Sequence, residues 1–257
     1  MFVTIAGTTL HYQVEGAKTG TPIVFLNSLG SSLCIWDEVA ALLGKSHPIL
    51  RYDKAGHGLS DCPPGAYSLR DHSHDLLGLL DYLRIERAVL VGVSVGGMIA
   101  LDFAASYAQR VQKLVLCDTG AKIGTAQSWN DRIAAVESNG LAAIAQAVLA
   151  RWFTADFIQN QPAQYQGYAN MLVRTPAQGY VATCAALRDG DLRTVVPGIQ
   201  IPALVLCGDE DLATPPALGQ ELASTLANAS FALIEKAGHL PSIEQPSLLA
   251  EKILAFL

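Results

Sequence analysis

Three stretches of the chain, "RAVLVG" (87–92), "VQKLVLCD" (111–118) and "PALVLCG" (202–208), are nearly continuous apolar runs. A strand with one wet face alternates apolar and polar residues, so runs of this kind belong to strands covered on both sides. Helical patterns lie between them, as in "GMIALDFAASYA" after the first run. Such alternation permits few architectures, and the simplest is a mostly parallel sheet with helices on both faces. Composition agrees. Of 257 residues, 51 % are hydrophobic and 16 % charged, where a soluble domain usually carries about 25 % charged. That argues for a large buried core and against disorder.

The flanking segments extend this α/β pattern. Phe2–Ile5 and 9–14, separated by "AGT", read as an antiparallel hairpin. "PIVFLN" and "HPILRYD" read as further strands. Ser68 is placed to cap a helix whose apolar face carries Leu69, His72, Leu76, Leu79, Leu80 and Leu83. Between 120 and 192 no strand-like run occurs, and "RIAAVESNGLAAIAQAVLARWF" is Ala-rich with helical periodicity. The expected organisation is a core formed by residues 1–119 and 193–257, with 120–192 inserted as a helical cap.

Charge and cysteine usage narrow the function classes. Net charge is 17 − 23 = −6, without any run of Lys or Arg, so no nucleic-acid partner is expected. The five cysteines show no paired spacing and no CxxC, which reads as free thiols in a reducing compartment. The first residues lack a basic leader pattern, and the longest uncharged apolar stretch, 88–101, is too short to span a bilayer. The thiols fit a reducing cytoplasm, and no membrane partner is expected. Oligomeric state is not encoded in any of these features.

One hydroxyl interrupts the apolar string "VLVGVSVGGM". Gly92-Val93-Ser94-Val95-Gly96 is a G-x-S-x-G pattern with a strand before it and a helix after it. That context suits a tight elbow that projects Ser94 from the carboxyl edge of the sheet. The helix N-terminus behind it favours developing negative charge. Serine needs a base to act as a nucleophile. The tetrapeptide Lys-Ala-Gly-His occurs twice, ending at His57 and at His239. Enzymes built on this elbow run Ser, then Asp or Glu, then His along the chain, which selects His239 and leaves His57 as a structural loop residue. Asp209, Glu210 and Asp211 follow the strand "ALVLCG", and Thr214-Pro215 reads as N-cap and first residue of the next helix. Asp211, nearest that helix, is the expected acid; Asp118 is the alternate. Backbone N–H groups of Val95 and Leu29 are the expected oxyanion donors.

With these residues in view, the chain resembles the α/β-hydrolases through "GVSVGG", "GDEDLATPP" and "AGHLPSIEQP". More narrowly it is similar to the 3-oxoadipate enol-lactonases in "LNSLGSSLCIWD", "CDTGAKIGT", "RWFT" and "GYVATCAALRDGDLR". Two departures stand out: Lys54-Ala55 where the family leads one to expect Arg-Gly, and "AGHLPS" in place of "AAHLSN". The resemblance implies hydrolysis of a small anionic enol-lactone to 3-oxoadipate, within aromatic catabolism, through an acyl-enzyme on Ser94. It implies no cofactor and no metal, and the sequence shows no ligand cluster for one. The substrate carboxylate needs a partner in an apolar pocket. Trp129, Arg132, Arg151, Trp152 and Arg188 of the insertion are the candidates, with Trp129, Arg132 and Trp152 taken as the binding set. Trp129 and Arg132 share a helical face at i and i+3. A general carboxylesterase, a C–C bond hydrolase or a cofactor-free perhydrolase would use the same triad. A non-catalytic receptor that keeps the pocket is the alternative outside enzymology.

Overall fold

The computed structural model describes residues 1–257. Its strands form where the apolar runs are. They are β1 (Phe2–Ile5), β2 (Thr8–Gly16), β3 (Ile23–Leu26), β4 (Pro48–Tyr52), β5 (Ala88–Val93), β6 (Val111–Cys117), β7 (Ala203–Gly208) and β8 (Ala229–Ile234). They make one sheet in the order β1-β2-β4-β3-β5-β6-β7-β8. β1 and β2, and β2 and β4, pair antiparallel, and every other pair is parallel. The hairpin turn is tighter than "AGT" suggests: Ile5 pairs with Thr8 across Ala6-Gly7 alone. Both turn residues have positive φ, 48° and 91°, the geometry whose twist matches that of paired strands.

Every residue of β3, β5 and β7 is buried, which accounts for their lack of alternation. Helices α1 (Asp37–Leu43), α2 (Leu69–Tyr82) and α3 (Val95–Ser106) lie in the first half of the chain. After them come α4 (Ala126–Trp152), α5 (Ala155–Asn160), α6 (Pro162–Arg174), α7 (Ala177–Asp189), α8 (Pro216–Thr225), α9 (Pro241–Glu244) and α10 (Pro246–Phe256). Ser68 caps α2 in a reciprocal box with Asp71, and Leu69, His72, Leu76, Leu79 and Leu80 point into the core. α1 packs on α10 and α2 on α3. Burying each such Leu or Val stabilises the fold by about 1.5–3 kcal/mol.

Helices α4 to α7 lie between β6 and β7 and pack on one another. α4 is long and apolar enough in composition to cross a membrane. Gly140, at φ 75° and ψ 170°, breaks it into two shorter helices. All five cysteines are free; Cys117, Cys184 and Cys207 are buried, and Cys34 and Cys62 only half-buried.

Parallel register brings the site together. Leu26 pairs with Gly92, Val93 with Cys117, Cys117 with Leu206, and Gly208 with Ile234. The segments that follow β3, β5, β6, β7 and β8 therefore emerge side by side along one edge of the sheet.

Candidate active site

Ser94 sits between β5 and α3 at φ 57° and ψ −121°, a region few L-residues adopt. Side chains beside it would prevent the turn. A Cβ on Gly92 would run into the Gly96 backbone, and one on Gly96 into the Leu26 carbonyl. The strained residue is held at both ends: its N–H donates to the Cys117 carbonyl at 3.0 Å, and its carbonyl accepts from Thr119 Oγ1 at 2.7 Å. Its own hydroxyl caps nothing and faces a cavity of about 190 Å³.

His239, in the segment after β8, lines the same cavity. Its N–H donates to the Trp152 carbonyl at 2.9 Å, which fixes the loop against the end of α4. Nδ1 lies 2.9 Å from Asp211 Oδ2, so the tautomer that donates there leaves Nε2 as the acceptor. Asp211 Oδ1 also accepts from Ala213 N at 2.7 Å and Thr214 N at 3.1 Å, and Oδ2 from Thr214 Oγ1 at 2.6 Å. Burial pushes the Asp211 carboxyl up, but the charge of His239 and these hydrogen bonds outweigh it and hold it below the usual carboxylate range.

Thr214 differs from its expected role. α8 begins at Pro216 with Pro215 as N-cap, so the helix starts one residue later than Thr214-Pro215 suggested. Freed from capping, the Thr214 hydroxyl bridges Asp211, the Asp118 carbonyl at 2.8 Å and His239 Nδ1 at 3.1 Å. Asp118, the alternate acid, is fully buried. Burial first, then the neighbouring Asp211 charge, raise its carboxyl well above the usual range. It accepts from Gly208 N at 2.7 Å and makes no hydrogen bond to His239.

The fold also gathers a group the sequence did not show: donor atoms of Asp118, Asp211 and His239 lie within 4.8 Å of one another. Four hydrogen-bond donors already engage the Asp211 carboxylate, which matches its roughly four lone-pair sites. The donor set therefore suits an oriented imidazole better than a metal.

Leu29 lines the cavity, and its N–H has no acceptor in the protein. Val95 is the first residue of α3, a position whose N–H lacks an intrahelical partner. His57 does not reach the cavity: it is fully buried and accepts from Gly30 N–H at 2.9 Å.

From α4, Trp129, Arg132 and Trp152 line the cavity, and so does Arg151, which the expected binding set omitted. Arg132 Nη1 lies 3.5 Å from Tyr180 Oη, and its guanidinium lies 5.2 Å from the Trp129 ring. Trp129 Nε1 is committed to the Ile123 carbonyl at 2.7 Å. Arg151 donates to the Leu212 and Ala213 carbonyls at 3.2 Å each. Neither arginine joins an ion pair. Partial burial, then the charge of Arg132, lower Arg151 from the usual arginine range. Arg188 lies outside, paired with Asp189 at 2.8 Å, because it belongs to the solvent face of α7. Ser128, Tyr180 and Ala213 are further lining residues that sequence reading missed.

A family model described as an alpha/beta hydrolase fold matches residues 21–246. The 3-oxoadipate enol-lactonase 2 of Acinetobacter baylyi is 33 % identical over 255 residues, 99 % of this chain and 95 % of that protein. The crystal structure of the enol-lactonase from Burkholderia xenovorans LB400 is 38 % identical, with a TM-score of 0.97 over 100 % of this chain and 99 % of that one. A thermophilic esterase from Thermogutta terrifontis is 27 % identical, with a TM-score of 0.92 over 99 % of this chain and 95 % of that one.

Proposed function

The chain belongs to the alpha/beta hydrolase fold family and is a hydrolase of carboxylic esters; from that premise we propose that it hydrolyses 3-oxoadipate enol-lactone to 3-oxoadipate, in the catabolism of aromatic compounds. Ser94 Oγ attacks the ring carbonyl while His239 Nε2 takes its proton. The oxyanion is received by the Leu29 and Val95 N–H groups. Collapse expels the enol oxygen, which takes the proton back from His239, and a water activated by His239 then frees the acid. Asp211 orients the imidazole and balances its charge. No metal or cofactor enters these steps. The leaving enol stays tethered to the acyl carbon, and its conversion to the ketone removes the nucleophile that would re-close the ring.

The observation that carries the reading is the pair of unpaired cations, Arg132 and Arg151, in the cavity shared by Ser94 and His239. Two guanidiniums facing one space without a carboxylate repel each other, and a substrate carboxylate would relieve that repulsion and accept from both. The residues 120–192 act in this reading as a cap that carries the anion-binding side of the site. A neutral ester offers no such group, and the general-esterase reading rests on the Thermogutta likeness and leaves the arginines without a task.

The test presents the enol-lactone and a p-nitrophenyl ester to wild type, Ser94→Ala and Arg132→Ala. Lactone turnover that disappears with Ser94, and a KM that rises about tenfold or more in Arg132→Ala for the lactone alone, are expected. Ester turnover without lactone turnover, or equal KM changes for both substrates, would replace the lactonase by a general esterase.

A further inference from the structure

Two buried bases support the oxyanion loop, and the reaction as described uses neither. Lys54 is 2 % exposed, and no carboxylate lies within ion-pair distance of its ammonium. Nζ donates instead to the Ser28 carbonyl at 2.6 Å and, more weakly, to the Asn27 carbonyl at 3.4 Å. The Ser28 carbonyl and the Leu29 N–H belong to one peptide unit. In the next unit, the Gly30 N–H is fixed on His57 Nε2 at 2.9 Å. Both peptides that flank Leu29 are thus anchored from beneath, and the Leu29 N–H between the anchors has no acceptor in the protein.

We infer that Lys54 is a positioning residue for acyl transfer: its ammonium, acting through the Ser28–Leu29 peptide, aims and polarises the N–H that receives the oxyanion. The inference rests on the reading of Leu29 as an oxyanion donor, and it is independent of which ester is the substrate. A cation on an amide oxygen draws electron density out of the C–N unit and makes the N–H a stronger donor, by the same polarisation that strengthens chained hydrogen bonds. Orientation matters as well. If the Ser28–Leu29 peptide rotated, its carbonyl would leave Lys54 and its N–H would leave the cavity. Burying a cation without a counter-charge is unfavourable, and a neutral side chain of equal length would fill the space, so packing alone does not explain the lysine.

The charged and titratable groups around Lys54 have other commitments. The Asp53 carboxylate accepts from His11 Nδ1, Leu33 N and Leu59 N. Burial first, and then the Lys54 charge, hold His57 well below the usual histidine range and His72, on α2, down to about 3. Burial likewise pulls Lys54 down to about 7, with the Asp53 charge opposing. Lys54 therefore changes charge near neutrality while both imidazoles stay neutral.

The variant Lys54→Met keeps the length and removes the charge, and the Ser28 carbonyl still accepts from Ser31 Oγ at 2.9 Å. Thermal stability is expected to hold or rise, since an unpaired buried charge is lost. With a p-nitrophenyl ester, kcat should fall about tenfold and KM should stay within about twofold, short of the 10²–10³ loss when an oxyanion donor is removed outright. Unchanged kcat, or a fall in kcat that only tracks a fall in stability, would overturn the inference. A second readout does not depend on turnover. Labelling Ser carbonyls and Leu amides confines the NMR spectrum to the four Ser-Leu peptides of the chain, and Leu29→Ile identifies the Leu29 peak by its loss. In wild type that amide proton should move upfield as pH rises through neutrality and Lys54 loses its charge; in Lys54→Met it should not. A peak that stays still in wild type, or titrates identically in the variant, sinks the assignment. If wild type turned over no ester while the peak titrated as expected, the hydrolytic reading would fail and the coupling of Lys54 to Leu29 would stand.

Discussion

Lys54-Ala55-Gly56-His57 and Lys236-Ala237-Gly238-His239 are the same tetrapeptide, each placed just beyond the carboxyl end of a strand of one sheet. Their side chains have opposite fates. In the first copy the lysine is buried, and the imidazole is saturated, with Nε2 on Gly30 N–H at 2.9 Å and Nδ1 near the Ala55 carbonyl at 3.3 Å. In the second the lysine is exposed, and the imidazole has a carboxylate on Nδ1 and the cavity on its other side. Local sequence is identical, so the difference comes from the neighbours. β4 delivers its loop beneath the segment that follows β3, where the Gly30 N–H meets the imidazole and the Ser28 carbonyl meets the ammonium. β8 delivers its loop beside the end of β7, where Asp211 waits. A histidine becomes a base when a carboxylate fixes one nitrogen and nothing takes the other.

The largest effect that could break this contrast is in catalysis. His239→Gln should lower kcat/KM for any ester by about 10⁴–10⁶, the range for losing a triad base. His57→Gln, whose Oε1 can still accept from Gly30 N–H, should stay within about tenfold of wild type. Comparable losses in both would mean that the two copies share the work. Asp211→Asn comes next, at about 10⁴ in kcat, because an amide holds the imidazole in the wrong tautomer; a mild effect would move the role of acid to Asp118. The lysines give a smaller contrast. Against the loss set out above for Lys54→Met, Lys236→Met should leave kcat unchanged within about twofold, since that ammonium lies in solvent.

Legibility in the sequence follows the same division between local and distant causes. The strands, the hairpin, the α2 cap and the Ser94 elbow are set by contiguous residues, and the chain spells them out. Asp211 and His239 were legible because chain order constrains them, and the fold brings them to 2.9 Å of each other. Thr214 was read as a helix cap because its partners Asp118 and His239 lie far away in sequence. Arg151 was named among the candidates but left out of the binding set. Trp129 and Arg132 precede Gly140 in α4, while Arg151 and Trp152 follow it. The i and i+3 spacing that joins Trp129 to Arg132 says nothing of a residue beyond that break, and only the fold brings Arg151 to the same cavity. Arg188, at helical spacing from buried residues of α7, turned out to face solvent and Asp189. Lys54 was noticed only as a departure from Arg-Gly, since its acceptors are carbonyls of residues 27 and 28, which carry no side-chain signal.

The smallest predicted effect separates the two copies by stability. His57 is buried without a counter-charge, and its pKa lies well below the usual value. Its neutral form is the one the fold accepts, so the unfolded chain takes up the proton first as pH falls below about 6.5. The stability it contributes is complete above that pH and is lost on acidification, at up to about 1.4 kcal/mol per pH unit until the folded pKa is reached. His72, held near 3 by burial, acts in the same direction. Asp75, raised by burial to about 7, acts in the opposite direction between its unfolded and folded values, because the fold keeps its proton. Total stability against pH therefore mixes signs, and the informative quantity is the difference between a variant and wild type. His57→Gln should narrow its stability deficit, or become the more stable protein, as pH falls from about 6.5 towards 4. Denaturant midpoints at matched pH values read this directly. A deficit that stays constant or widens on acidification would mean that the first imidazole is not held neutral by burial, and the contrast between the copies would then rest on catalysis alone.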